Sequence, residues 1–88
     1  MRIFDLKNFN TFKSIFEDPL RSDVDWNSVE KLFIALGAEV TEGNGSRVRV
    51  ALNDIRAIFH RPHPQRETDR GALKSVRRFL IEAGVKPC

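Results

Sequence analysis

One segment of the sequence alternates apolar and polar residues over two strand-length runs that are separated by a two-residue turn. The runs cover residues 46–52 and 55–60, with Asn53-Asp54 between them. A period of two is typical of strands with one buried face, and a short polar pair between two such runs indicates a hairpin. We therefore expect an antiparallel hairpin whose core face pairs Leu52 with Ile55, Val50 with Ala57, and Val48 with Phe59.

The opposite face of this hairpin is cationic. The same register pairs Arg47 with His60 and Arg49 with Ile58, and it places Arg56 beside them. Directly opposed residues have Cβ atoms about 5 Å apart, so three arginines and a histidine would stand together on the outer face. A register shift of one residue would scatter them, so the prediction depends on the two-residue turn.

Helical periodicity is present on both sides of the hairpin. Asp25 is a suitable N-cap for the second helix, and Asn27 and Glu30 have the spacing of a capping box. Either Thr68 or Asp69 can cap the last helix. The predicted elements are helices over residues 8–18, 26–36 and 70–83 and a further strand over residues 38–42.

This order predicts an α+β fold, α-α-β-β-β-α, with a three-stranded antiparallel sheet covered on one face by helices. The first helix carries Phe9, Phe12, Ile15 and Phe16 on one side. Three phenylalanines in a short helix need a large apolar surface to cover them. We expect them to dock on the rest of the domain.

Charge is distributed unevenly along the chain. Residues 1–45 carry five Lys or Arg and eight Asp or Glu, whereas residues 46–88 carry ten and four. Lys74, Arg77 and Arg78 add a basic stripe on the last helix. A basic half suits a polyanion such as nucleic acid. Charge alone also fits an acidic protein partner or a merely solvated basic surface.

Several classes of protein are disfavoured by the sequence. No apolar run approaches the roughly 18–20 residues that a membrane span needs, and the N-terminus lacks a signal-peptide apolar stretch, so we expect a cytoplasmic protein. Cys88 alone cannot form an internal disulfide. His60 and His63 lack further ligands for zinc, and the Gly43–Ser46 turn lacks the lysine of a phosphate-binding loop. No metal or small-molecule cofactor is predicted.

Short motifs in a fixed order resemble the HicA family of bacterial toxins. They are a helix over residues 29–37, Gly45-Ser46 at a strand start, Pro62-His63-Pro64 after the third strand, and a last helix from Gly71-Ala72-Leu73 to Ala83-Gly84-Val85. The resemblance covers residues 26–86 and leaves residues 1–25 as an N-terminal extension of a domain over 26–88. It implies a double-stranded-RNA-binding-domain-like fold, mRNA interferase activity, and silencing by the antitoxin HicB.

One departure from the family bears on the chemistry. The family carries its catalytic histidine just after Gly-Ser, where this chain has Arg47 and Val48. Arginine stays protonated near neutral pH, so it cannot replace a general base. His60, opposite Arg47, is a candidate substitute that could accept the 2′-hydroxyl proton of RNA while Arg47 and neighbouring arginines stabilise the phosphorane-like transition state.

The sequence leaves three functional interpretations open. The first is a metal-independent ribonuclease with His60 and Arg47 as catalytic candidates. The second is a non-catalytic module that binds RNA or the antitoxin, in which His60 is a polar residue at a strand end. The third is an adaptor for an acidic protein. The predicted RNA-binding residues are Arg47, Arg49, Arg56, Arg61, His63, Lys74, Arg77 and Arg78.

Overall fold

The computed structural model of the protein describes residues 6–63 and 65–85, so the predictions for Pro64 and Cys88 lie outside the described residues. The fold is α+β, as predicted. Its helices and strands, in chain order, are α1 (Leu6–Ile15), β1 (Val24–Asp25), α2 (Trp26–Ala35), β2 (Glu39–Glu42), β3 (Arg47–Leu52), β4 (Ile55–His60), β5 (Glu67–Thr68) and α3 (Arg70–Glu82).

The three-stranded sheet is antiparallel with the order β2-β3-β4. Its central hairpin has the predicted register, from Arg47 opposite His60 to Leu52 opposite Ile55. Asn53 and Asp54 both have positive φ, 52° and 68°, which the two central residues of a type I′ turn require. The Asn53 side chain also donates a hydrogen bond to the Ala83 carbonyl at 2.8 Å, which ties the turn to the end of α3.

The core lies between the sheet and the helices α2 and α3. An aromatic cluster occupies its centre: the ring of Phe33 lies 5.7 Å from the ring of Phe59 and 5.7 Å from that of Phe79, and Trp26 lies 5.9 Å from Phe59. Such centroid separations suit attractive stacked and edge-on geometries. The inner sheet face is therefore fully used for packing, which leaves the outer face to solvent.

The helix caps follow the sequence with one correction. Asp25 Oδ1 accepts the Asn27 amide at 2.9 Å, and Asp69 Oδ1 accepts the Ala72 amide at 2.7 Å. Thr68, the alternative cap for α3, is instead buried in β5. The capping-box interpretation of Glu30 was wrong, because its carboxylate accepts hydrogen bonds from Arg61 and from the indole of Trp26.

The segment that precedes α2 packs on the domain at two places. Ile15 at the end of α1 is fully buried, and Phe12 and Phe16 pack against the core as predicted. Phe9 does not, because it is 46% exposed and stacks beneath Lys13. The helix ends three residues earlier than predicted. Further along, β1 forms a small antiparallel sheet with β5, a pairing that the sequence did not predict.

Candidate nucleic-acid interface

The outer face of the sheet brings together the cationic side chains that the hairpin register predicts. The Arg61 amide donates to the Ser46 carbonyl at 2.9 Å, which makes that pair a hydrogen-bonded one. Since bonded and non-bonded pairs alternate in an antiparallel ladder, Arg47–His60 is a non-hydrogen-bonded pair. Opposed side chains are closest in such pairs, with Cα atoms about 4.5 Å apart. An imidazole and a guanidinium thus extend side by side into solvent.

A shallow concave area occupies the middle of this face. Ile58 is an apolar residue of this area and is 58% exposed. Arg49 lies directly opposite it on β3, and Arg56 lies two residues before it on β4. The Arg49 guanidinium donates to the Glu42 carbonyl at 3.1 Å, which holds that side chain across β2. Glu39 is the acidic residue that lines the same area. Cations around an exposed apolar centre can contact phosphates and bases at the same time.

Arg61 does not join the cations of the outer face. Its guanidinium forms two bidentate ion pairs: with Glu30 at 2.7 and 3.1 Å, and with Glu42 at 2.7 and 2.8 Å. Hydrogen bonds to Glu42 and then to Glu30 raise the pKa of Arg61, and Arg61 holds the pKa of Glu42 below its ordinary value. We call this arrangement the Arg61 clamp. It connects α2 and β2 to the residue that follows His60.

Sequence reasoning missed the acidic members of the clamp. Glu30 is 18% exposed and lies on α2 one helical turn after Trp26, next to the buried side of that helix. A glutamate at that position needs a cationic partner, because an unpaired carboxylate is costly to bury. The spacing of Glu30 from Trp26 was therefore the feature of the sequence that could have indicated an ion pair. Its partner is 31 residues away along the chain, so the identity of the partner follows from the fold alone.

The basic stripe on α3 divides into structural and exposed residues. Arg77 donates from Nε to the Ile15 carbonyl at 2.9 Å and from the terminal guanidinium to the Glu17 carbonyl at 2.7 Å. Its side chain is 21% exposed. Lys74 and Arg78 are exposed, and Arg78 contacts Glu82 at 3.3 Å. Lys74 and Arg78 therefore remain accessible to a polyanion, whereas Arg77 holds the end of α1.

His63, the second histidine, is exposed in the connection between β4 and β5. Within residues 6–63 and 65–85, no three His, Cys, Asp or Glu side chains are grouped so that they could hold a metal ion. No helix in the same part of the chain is both long and apolar enough to cross a membrane.

One of the comparisons with known proteins gives a match, and it is to a protein family. The model of a family described as the HicA toxin of bacterial toxin-antitoxin matches residues 26–85, which run from the start of α2 to three residues beyond α3. No curated protein matches the chain, and no solved structure does. The matched segment contains the whole three-stranded sheet and both helices that cover it. The chain therefore belongs to the HicA toxin family of bacterial toxin–antitoxin systems.

Proposed function

We propose that this HicA-family toxin is an RNA-binding mRNA interferase that acts in the cytoplasm and is silenced by a HicB-type antitoxin. Residues 26–88 form the toxin domain in this proposal, and residues 1–25 are an N-terminal extension. The observation that carries the proposal is the Arg47–His60 pair on the exposed face of the sheet. It puts a proton acceptor beside a fixed positive charge, which is what RNA cleavage at neutral pH requires.

Each group has a defined part in the reaction. The imidazole of His60 takes the proton of a ribose 2′-hydroxyl, and the 2′-oxygen forms a bond to the adjacent phosphorus. Arg47 and Arg49 stabilise the charge on the non-bridging phosphate oxygens. The bond from phosphorus to the 5′-oxygen breaks, and that oxygen takes a proton from solvent. The products are a 2′,3′-cyclic phosphate and a 5′-hydroxyl. The scheme uses no metal.

A second candidate function follows from the residue after Gly45-Ser46. Arg47 stands where the resemblance places a catalytic histidine, so this chain could have kept the surface and lost the reaction. In that case the same face binds RNA or the antitoxin without cleavage. Both functions share the exposed cations Arg47, Arg49 and Arg56, and they differ in whether His60 transfers a proton.

The experiment that separates them uses the two histidines as a matched pair. The wild-type chain, His60→Ala and His63→Ala are induced in a bacterial host, and growth and mRNA integrity are followed. If His60 is the catalytic base, the wild type and His63→Ala should both arrest growth and degrade mRNA. His60→Ala should do neither. Growth should recover when a HicB-type antitoxin is co-expressed.

Purified protein gives the second readout. His60→Ala should retain RNA affinity within a few-fold, because the arginines that contact phosphates are unchanged, while cleavage is lost. Equal cleavage by the wild type and His60→Ala would refute the role of His60. Folded wild-type protein that binds RNA without cleaving it would favour the non-catalytic module.

A further inference from the structure

A second concave site lies along the free edge of β4, between the end of that strand and the beginning of α3. It encloses about 390 Å³. Its walls include Ile58, His60 and Pro62 on one side and Asp69, Gly71 and Ala72 on the other. We call it the edge groove. His60 lines the edge groove and also belongs to the cationic outer face, so the two surfaces are continuous.

Backbone groups of β4 face the edge groove. The backbone of Arg61 is hydrogen-bonded to Ser46, the residue that precedes β3. Because hydrogen-bonded and non-hydrogen-bonded pairs alternate, Phe59 is the next residue of β4 that bonds to β3. The N–H and C=O groups of Ile58 and His60 consequently point away from β3, toward the open side of this edge strand. They offer directional donors and acceptors at the rim of the groove.

The polar side chains of the edge groove favour a hydrogen-bond donor over an anion. Asp69 caps α3 by accepting the Ala72 amide at Oδ1 and also lines the groove, so its carboxylate places negative charge there. Thr68 is fully buried, and its hydroxyl has no hydrogen-bond partner among the described residues. The arginine that lines the groove, Arg61, has its guanidinium already held by two carboxylates. A phosphate would meet repulsion here, whereas a neutral amino group would find an acceptor.

We infer that the edge groove is a nucleobase slot, which receives an unpaired base with an exocyclic amino group from the RNA whose phosphate lies at Arg47 and His60. The inference rests on the proposed function and deepens it. Flat aromatic bases suit a groove with Pro62 and Ala72 as its apolar walls, and sequence-selective RNA recognition commonly uses such splayed single-stranded bases. The slot would thus select single strands rich in adenine or cytosine over uracil.

The first test fills the groove without straining the backbone. A Cβ added at Gly71 would meet Asp69 Oδ1 at 3.6 Å, an ordinary contact, and the backbone there has no left-handed φ. Gly71→Leu should therefore fold while its side chain occupies the groove. Asn27→Leu is the matched control, because Asn27 is also an exposed second residue of a helix that begins after an aspartate cap.

Affinity is measured by fluorescence anisotropy with labelled single-stranded 2′-O-methyl RNA 12-mers of adenine, cytosine or uracil, which lack the 2′-hydroxyl that the proposed cleavage needs. Folding is measured by thermal denaturation. Since one stacked base contributes about 1–3 kcal/mol, Gly71→Leu should weaken adenine and cytosine 12-mers at least about fivefold. Asn27→Leu should bind like the wild type.

The second test changes base preference and keeps the helix cap. Asp69→Asn retains a capping oxygen for the Ala72 amide, but its side-chain NH₂ can now donate to a uracil carbonyl. The ratio of adenine to uracil affinity should fall about tenfold or more, the effect of losing one hydrogen bond to a charged acceptor. Asp25→Asn, which alters the cap of α2 in the same way, should leave the ratio unchanged.

The outcomes separate the slot from the proposed function. Wild-type protein that binds none of the three RNAs overturns the proposed function, and the slot with it. If the wild type binds RNA and Gly71→Leu binds it as tightly as the Asn27→Leu control, the nucleobase slot is refuted. An unchanged ratio of adenine to uracil affinity in Asp69→Asn also refutes the slot. Neither result affects the proposal that the outer sheet face binds RNA.

Discussion

The contacts of Arg77 allow a sharp prediction, because this residue looks like an RNA ligand in the sequence and like an anchor in the fold. Its guanidinium donates to the Ile15 carbonyl at 2.9 Å and to the Glu17 carbonyl at 2.7 Å. Ile15 is the last residue of α1 and Glu17 lies two residues beyond it, so no further helical turn follows to donate N–H groups to these carbonyls. Its neighbour Arg78 has an 81% exposed side chain and contacts Glu82.

The magnitude follows from these two bonds. A hydrogen bond to a charged group contributes about 1.5–3 kcal/mol, and partial exposure of Arg77 places each near the lower end of that range. The pair with Asp18, at 3.4 Å and with that carboxylate 83% exposed, adds little. Arg77→Met keeps most of the aliphatic stem and removes the charge. We expect it to lower the free energy of unfolding by about 2–4 kcal/mol.

Urea unfolding followed by circular dichroism measures this change, with Arg78→Met as the matched control. We expect the control to lie within about 0.5 kcal/mol of the wild type, as exposed ion pairs do. RNA affinity should show the opposite order, with Arg78→Met weaker and folded Arg77→Met close to the wild type. If both variants unfold at the same urea concentration, Arg77 does not hold α1, and its assignment as an anchor is refuted.

Three further predictions concern the outer face and the Arg61 clamp. Arg47→Ala should weaken RNA binding and reduce the slope of log affinity against log salt by about 0.7, measured by anisotropy from low to high KCl. Glu30→Gln should destabilise the fold by about 1–3 kcal/mol in urea unfolding, because half of the clamp loses its charge. For Glu42, the pKa is lowered from 4.5 in the folded protein, so its stabilising effect is present above that pH and is lost as pH falls through the folded pKa. Glu42→Gln should be less stable than the wild type at pH 6, and urea unfolding at successively lower pH should show this difference shrink as the pH falls below 4.5.

The hairpin could be predicted from sequence because its causes are local. Alternation assigns Val48 and Val50 to the core, and the Asn53-Asp54 pair accommodates the positive φ values of the turn. These two constraints leave one register in which the apolar residues are buried. The opposition of Arg47 and His60 follows from that register with no further information.

The long-range contacts of the arginines could not be predicted in the same way. Arg61 reaches Glu30 across 31 residues, and Arg77 reaches Ile15 across 62. A guanidinium on a flexible stem can meet many partners, and sequence spacing does not choose among them. The pairing of Val24 with Thr68 is similar, since strands of two residues carry too little periodicity to detect.

The contacts also revise the argument from charge. The basic half of the chain uses part of its charge to bind the acidic half, because Arg61 and Arg77 are bonded to groups that precede residue 43. Of the Lys and Arg residues predicted to bind RNA, five remain exposed on two surfaces: three arginines on the outer sheet face, and Lys74 with Arg78 on the helical side. A single strand held by the sheet face alone would give a salt slope of about −2, whereas contact with all five cations would give about −3.5. Because α3 packs against β4, a strand that joins the two surfaces around that side of the sheet passes the edge groove. A salt slope of about −3.5 and a base preference that depends on the edge groove are therefore expected together, because both require the RNA to follow this route.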